Sequence, residues 1–142
     1  MIYISHRGNT SGKNVNNENH PDFISKAMNK GFDVEIDVWF VNNTFSLGHD
    51  KPEYEINSEY LNNTKFWCHA KNPEALEAMK NINCHFFWHE EDKFTLTSKG
   101  YIWSYPGNLA GKNSIFLFPE NYPKIDFKFC AGICSDFVEK YV

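Results

Sequence analysis

The chain has 142 residues, 42% of them apolar, with 13 Phe, 7 Tyr and 4 Trp; this is the length of one domain and too apolar a composition for disorder. A formal net charge of −4 and a pI near 5.8 exclude the basic face of a general nucleic-acid binder and a polybasic lipid-binding patch. No run approaches the ~18 apolar residues of a bilayer span. The first six residues lack the basic and long apolar regions of a secretory signal, so a cytoplasmic location without membrane insertion is expected.

In chain order, eight short apolar runs read as strands: 2–6, 33–39, 44–48, 65–69, 84–89, 101–105, 114–118 and 129–134, with a weaker ninth at 94–97. They are rich in β-branched and aromatic residues and bounded by Gly, Pro, Asn or charged clusters. Residues 20–30 predict a helix: Phe23, Ile24, Ala27 and Met28 form one apolar stripe, with Pro21 in the first turn and Gly31 past the end. Residues 73–80 repeat the pattern with Ala75, Leu76 and Met79, and a short helix is expected at 136–141. Strand–helix–strand order occurs twice in the first 90 residues, which implies parallel strands. The polar stretch 8–19 is a long loop directly after the first strand, a common place for function. Cys68, Cys84, Cys130 and Cys134 have no CxxC spacing and lie in or beside apolar runs, as reduced structural thiols do.

Three clusters carry the chemistry: His6-Arg7-Gly8 at the end of the first strand, Glu35-Ile36-Asp37 within the second, and Gly48-His49-Asp50 at the end of the third. Glu35 and Asp37 are two apart on a strand and share a face. Two carboxylates inside an apolar run repel unless a cation joins them, and a hard divalent ion answers that need. His6 and His49 titrate near neutrality, so one can accept and the other donate a proton. Arg7 has the planar fork that fits phosphate oxygens, and Lys71 adds a point charge. Taken singly, each has a plainer reading: a polar strand end, a solvated strand face, a turn.

Taken together and in this order, the residues resemble the glycerophosphodiester phosphodiesterase family and its phospholipase relatives. Glu18-Asn19 before the first helix, His69-Ala70-Lys71 on the next strand and Gly132-Ile133-Cys134-Ser135-Asp136 near the end extend the likeness along the chain. The resemblance implies an α/β fold, a reduced and irregular (β/α)8 barrel with few outer helices, since a full barrel needs ~250 residues. It implies metal-dependent cleavage of a small glycerophosphodiester or lipid headgroup, with His6, His49, Arg7 and Lys71 catalytic and Glu35, Asp37 and His69 as metal ligands. A cyclic phosphate product follows if a neighbouring hydroxyl of the substrate attacks. His69 departs from the pattern, which has an acid there; Mg²⁺ or Ca²⁺ is the family's expectation, while histidine opens the site to Mn²⁺ or Zn²⁺. Glu18 can serve the metal or cap the helix. Asp136 can meet the site or cap the last helix, and His89, Trp103, Tyr105 and Glu120 can shape a pocket. Two other classes remain: an inactive phosphate- or metal-binding barrel module, and a zinc hydrolase drawing on His69, Cys68, Cys84, His85 or His89.

Overall fold

A computed structural model describes residues 1–142. Its strands are β1 (Ile2–His6), β2 (Asp33–Val41), β3 (Thr44–Leu47), β4 (Tyr54–Ile56), β5 (Phe66–Ala70), β6 (Phe86–Phe87), β7 (Phe94–Leu96), β8 (Ile102–Ser104), β9 (Ser114–Leu117) and β10 (Gly132–Ser135). There are two α-helices, α1 (Pro21–Asn29) and α2 (Pro73–Met79), and three short 3₁₀ turns. No helix is long and apolar enough to cross a membrane.

The strands form one curled, mixed sheet. β6, β5, β2, β1, β10, β9 and β8 lie side by side and parallel, and β7 returns antiparallel on β8. β3 and β4 continue β2 as an antiparallel meander. The hairpin between β2 and β3 turns at Asn42 and Asn43, both at positive φ, the conformation of a two-residue hairpin loop in which asparagine is tolerated. β2 is the hub: His6 of β1 pairs opposite Glu35, while β5 runs along its other edge and sets His69 opposite Asp37.

This corrects the expected reduced (β/α)8 barrel. The structure is mostly strand, a half-barrel in which helices do not alternate with strands. Only α1 and α2 cross between parallel strands; every later connection is a loop or a 3₁₀ turn. The β2–β3–β4 meander and the β7–β8 pair are antiparallel, and no ladder joins β6 to β7. The third expected helix is a 3₁₀ turn at Val138–Tyr141, and β4 was not among the expected strands.

Alternation along β2 sorts its residues. Val34, Ile36 and Val38 enter a core with Ile24 and Ala27 of α1 and Ala75 and Met79 of α2, all fully or almost fully buried. Each such Val, Ile or Met stabilises the fold by about 1.5–3 kcal/mol. The same core holds Cys68 and Cys84, and all four cysteines are free and buried. On the concave face Ile4, Trp67, Phe87, Trp103, Ile115, Leu117 and Cys134 pack together; Phe87 and Trp103, from opposite ends of the curl, have ring centroids 4.5 Å apart. Where helices are missing behind β9 and β10, Phe116 and Ile133 are covered by Tyr122, Phe127 and Tyr141 from loops and turns. The apolar plug on the concave face forms a floor, and the polar residues at the carboxyl ends of the strands stand above it.

Candidate active site

Glu35 and Asp37 project from β2 onto the concave face, 2% and 0% exposed. One oxygen of each, Glu35 Oε2 and Asp37 Oδ1, is buried without a hydrogen-bond partner, a costly condition for a carboxylate unless a cation answers it. His69 joins them from β5: its Nδ1 lies 3.3 Å from Asp37 Oδ1 and 3.5 Å from Glu35 Oε1. Donor atoms of these three residues all lie within 4.8 Å of one another. The His69 Nε2 contacts the carbonyl oxygen of His89 at 2.7 Å, so Nε2 carries a proton and Nδ1 is the atom offered to the carboxylates. A carbonyl behind a ligating imidazole is the usual device for fixing its tautomer. The donor set fits a divalent cation. Lys71 stands beside the cluster, with its Nζ 3.8 Å from Asp37 Oδ1.

Charge balance shows in the acidities. Burial would raise the Asp37 pKa, but His69, Arg7 and Lys71 outweigh it and hold the carboxyl well below the usual range. Burial would lower that of His69, but Asp37 and Glu35 push it up to about 9. Both carboxylates thus favour a proton on His69 Nδ1 in the metal-free cluster, the position a divalent ion would take.

The loop after β1 frames the acids. Arg7 and Asn19 adopt left-handed backbone, φ 56° and 62°, beside Gly8 at 93°; such conformations in non-glycine residues are sparse and cluster at functional sites. A Cβ on Gly8 would lie 2.7 Å from the Phe23 ring. Arg7 is turned back over the site, with Nε 2.9 Å from Asp37 Oδ2 at an angle too poor for a hydrogen bond, and Nη1 donating to Glu18 Oε2 at 3.2 Å. Asn19 donates to Asp37 Oδ2 at 2.8 Å and accepts from the Asp37 backbone N–H at 2.9 Å. Glu18 therefore neither joins the metal cluster nor caps α1; His20 is the cap, accepting from Asp22 N–H.

His6 stands 3.9 Å from Glu35 Oε2 through its Nε2, and its Nδ1 is 2.7 Å from Asp136 Oδ1. Burial would raise the Asp136 pKa, but the bond and charge of His6 together with Asn9 bring it below the ordinary value. The Asp136 carboxylate accepts a hydrogen bond from His6 Nδ1–H, which leaves Nε2 facing Glu35. Asn9, fully buried, donates to both Asp136 Oδ1 and Glu18 Oε1, at 2.8 and 2.9 Å, and so ties the His6 arm to the Arg7 arm. Asn9 escaped the sequence reading, whose only signal for it was its place in the long loop. Ser135 Oγ and Asp136 N–H both donate to Glu120, which places Glu120 behind β10 as a brace.

His6, Arg7, Glu35, His49, His69, His89, Trp103 and Tyr105 line one cavity of about 430 Å³. His49 sits at its mouth, half-exposed, with Nδ1 2.7 Å from Asp50 Oδ1. Its turn depends on Gly48, where φ is 152° and a Cβ would lie 2.0 Å from the Lys51 carbonyl oxygen. The alternative zinc set is not assembled: Cys68 and Cys84 face the helix-covered core, and His85 Nε2 is bonded to Thr97 Oγ1 at 2.7 Å. Comparison with protein-family models, with curated proteins and with solved structures finds no match to this chain.

Proposed function

We propose that this protein is a metal-dependent phosphodiesterase acting on a small phosphodiester or a lipid headgroup, a glycerophosphodiester being the substrate the family resemblance suggests. The observation that carries the reading is the pair of buried, unpartnered carboxylate oxygens, Glu35 Oε2 and Asp37 Oδ1, beside a cavity that both His6 and His49 also line. Glu35, Asp37 and His69 would hold a divalent ion, which supplies charge neutralisation at the phosphate. His6 Nε2 takes the proton of the attacking hydroxyl, of water or of the substrate itself, as its oxygen bonds to phosphorus. His49 gives a proton to the leaving oxygen as the second P–O bond breaks, and Asp136 holds His6 in the required tautomer. Arg7 faces the developing charge on the phosphoryl oxygens. Lys71 serves the site through Asp37.

The test is hydrolysis of bis(p-nitrophenyl) phosphate and glycerophosphocholine by metal-stripped protein, with single divalent ions added back. Metal-dependent turnover is expected, falling about 10²–10⁴-fold in His6→Ala and in His49→Ala, with both variants folded by circular dichroism. Absence of turnover with every ion, in folded protein, would replace this reading by that of a phosphate- or metal-binding module.

A further inference from the structure

We propose that the Glu35–Asp37–His69 centre selects a borderline first-row transition-metal ion, of the Mn²⁺-to-Zn²⁺ series, over Mg²⁺ and Ca²⁺. The inference rests on the metal-binding part of the reading above and deepens it.

The centre offers one nitrogen and two carboxylates, the one group of His, Cys, Asp and Glu donors within 4.8 Å of one another; Glu90 also lines the cavity but lies exposed, outside that group. Glu18 is held by Arg7 and Asn9, and Asp136 by His6 and Asn9. Asn19, the nearest amide to Asp37, spends its oxygen on the Asp37 N–H. Ca²⁺ takes six to eight oxygen ligands, far more than two carboxylates supply, and Mg²⁺, which keeps several waters and binds through one or two carboxylates, gains nothing from the imidazole nitrogen. An imidazole nitrogen instead favours the later first-row ions, with affinity rising from Mn²⁺ to a maximum at Cu²⁺ and falling back, though not to the Mn²⁺ level, at Zn²⁺.

His69 is also fixed as a nitrogen donor. Its Nε2 is tied to the His89 carbonyl at 2.7 Å, and its ring stacks on Phe87 at 5.1 Å with 9° between the planes. The ring therefore cannot swing aside to leave two carboxylates and water for a hard ion. The loop that supplies the carbonyl is pinned in turn, because His89 Nε2 contacts its own loop at Asp92 O, 2.6 Å away. Both carboxylates are buried with an unpartnered oxygen, so the ligand set is built, not gathered from mobile surface acids.

The experiment is calorimetric titration of the metal-stripped protein with Zn²⁺, Mn²⁺, Mg²⁺ and Ca²⁺, with Mn²⁺ repeated by electron paramagnetic resonance. One site per chain is expected, with Zn²⁺ tightest, Mn²⁺ next, and each at least about tenfold tighter than Mg²⁺ or Ca²⁺, a margin of ~1.4 kcal/mol. Glu35→Gln should abolish the site, and His69→Glu should lower the Zn²⁺-to-Mg²⁺ affinity ratio by about tenfold or more. Equal or tighter binding of Mg²⁺ or Ca²⁺ in the unaltered protein overturns the proposal without recourse to any variant. So does Zn²⁺ binding that survives Glu35→Gln, which would place the ion on surface histidines or thiols. Selective Zn²⁺ binding with no phosphodiester turnover would leave the selectivity standing and remove the phosphodiesterase; Mg²⁺-supported turnover with hard-ion preference would do the reverse.

Discussion

Asn19 holds Asp37 from two sides, through the carboxylate and through the backbone N–H, and does so from a left-handed backbone position. Replacing it with alanine leaves the Asp37 N–H unanswered and removes a hydrogen bond from the Asp37 carboxylate, at about 1–3 kcal/mol each, in a left-handed conformation that alanine tolerates less well than asparagine. Asn19→Ala should therefore lower unfolding stability by about 3 kcal/mol or more in urea titrations. Asn19→Gly removes the same bonds without the conformational strain and should fall short of that loss by about 1 kcal/mol; equal losses would mean that the backbone there is unstrained. At this scale the sequence was only partly readable. Glu35 and Asp37 announce themselves by spacing, because strand geometry alone puts them on one face. Asp136 reaches His6 across 130 positions, and Asn9 reaches Asp136 across 127; no local pattern encodes such contacts.

The elements that read well from sequence carry their own punctuation. α1 has proline at its start and Gly31 beyond its end, and α2 has Asn72 before Pro73. Asn72 also does more than cap. Its Oδ1 accepts from Ala75 N–H and Phe40 N–H, and its Nδ2 donates to Phe40 O, so one side chain starts the helix and extends the β2–β5 seam past the last strand pair. Asn72→Ala should cost about 2 kcal/mol, the upper range for a cap, since Phe40 loses both its partners. Asn72→Ser keeps an oxygen for the cap on Ala75 N–H and loses the contacts to Phe40, and should cost about half as much by the same unfolding measurement. Equal costs in the two variants would show that the cap contributes nothing and the Phe40 contacts contribute all. β4 was missed for the opposite reason: three residues, Tyr54-Glu55-Ile56, are too short a run for alternation to register, and it is the meander with β3 that makes them a strand.

At the scale of the whole molecule, counting apolar runs gave nearly the right number of strands and the wrong architecture. Run count does not fix direction. Direction follows from connection length, and Asn42-Asn43 is too short to do anything but reverse the chain, so β3 lies antiparallel on β2 and takes no place in a barrel of mostly parallel strands. The same global arrangement sets two histidines at opposite poles of pH. On the concave face His69, among carboxylates, is pushed up to about 9; the stability it contributes to the metal-free protein is complete below its unfolded value, near 6.5, and is lost as pH rises through 9. His85, 3% exposed and against the Trp67 ring, is driven by burial down to about 4. There the sign is reversed: the unfolded chain takes up the proton first, so stability falls as pH drops from about 6.5 to 4. The depressed carboxyls of Asp37 and Asp136 act only below the ordinary carboxylate pKa of about 4, which leaves the window above it to the buried histidines, His85 and also His89, which burial lowers in the same direction. Metal-free protein should therefore be most stable near pH 6.5 and lose up to about 3 kcal/mol through His85 on acidification to pH 4. Thermal melts across that range should show a shallower acid slope in His85→Gln than in the unaltered protein. Parallel slopes would mean that the buried ring is not the group that takes up the proton on unfolding.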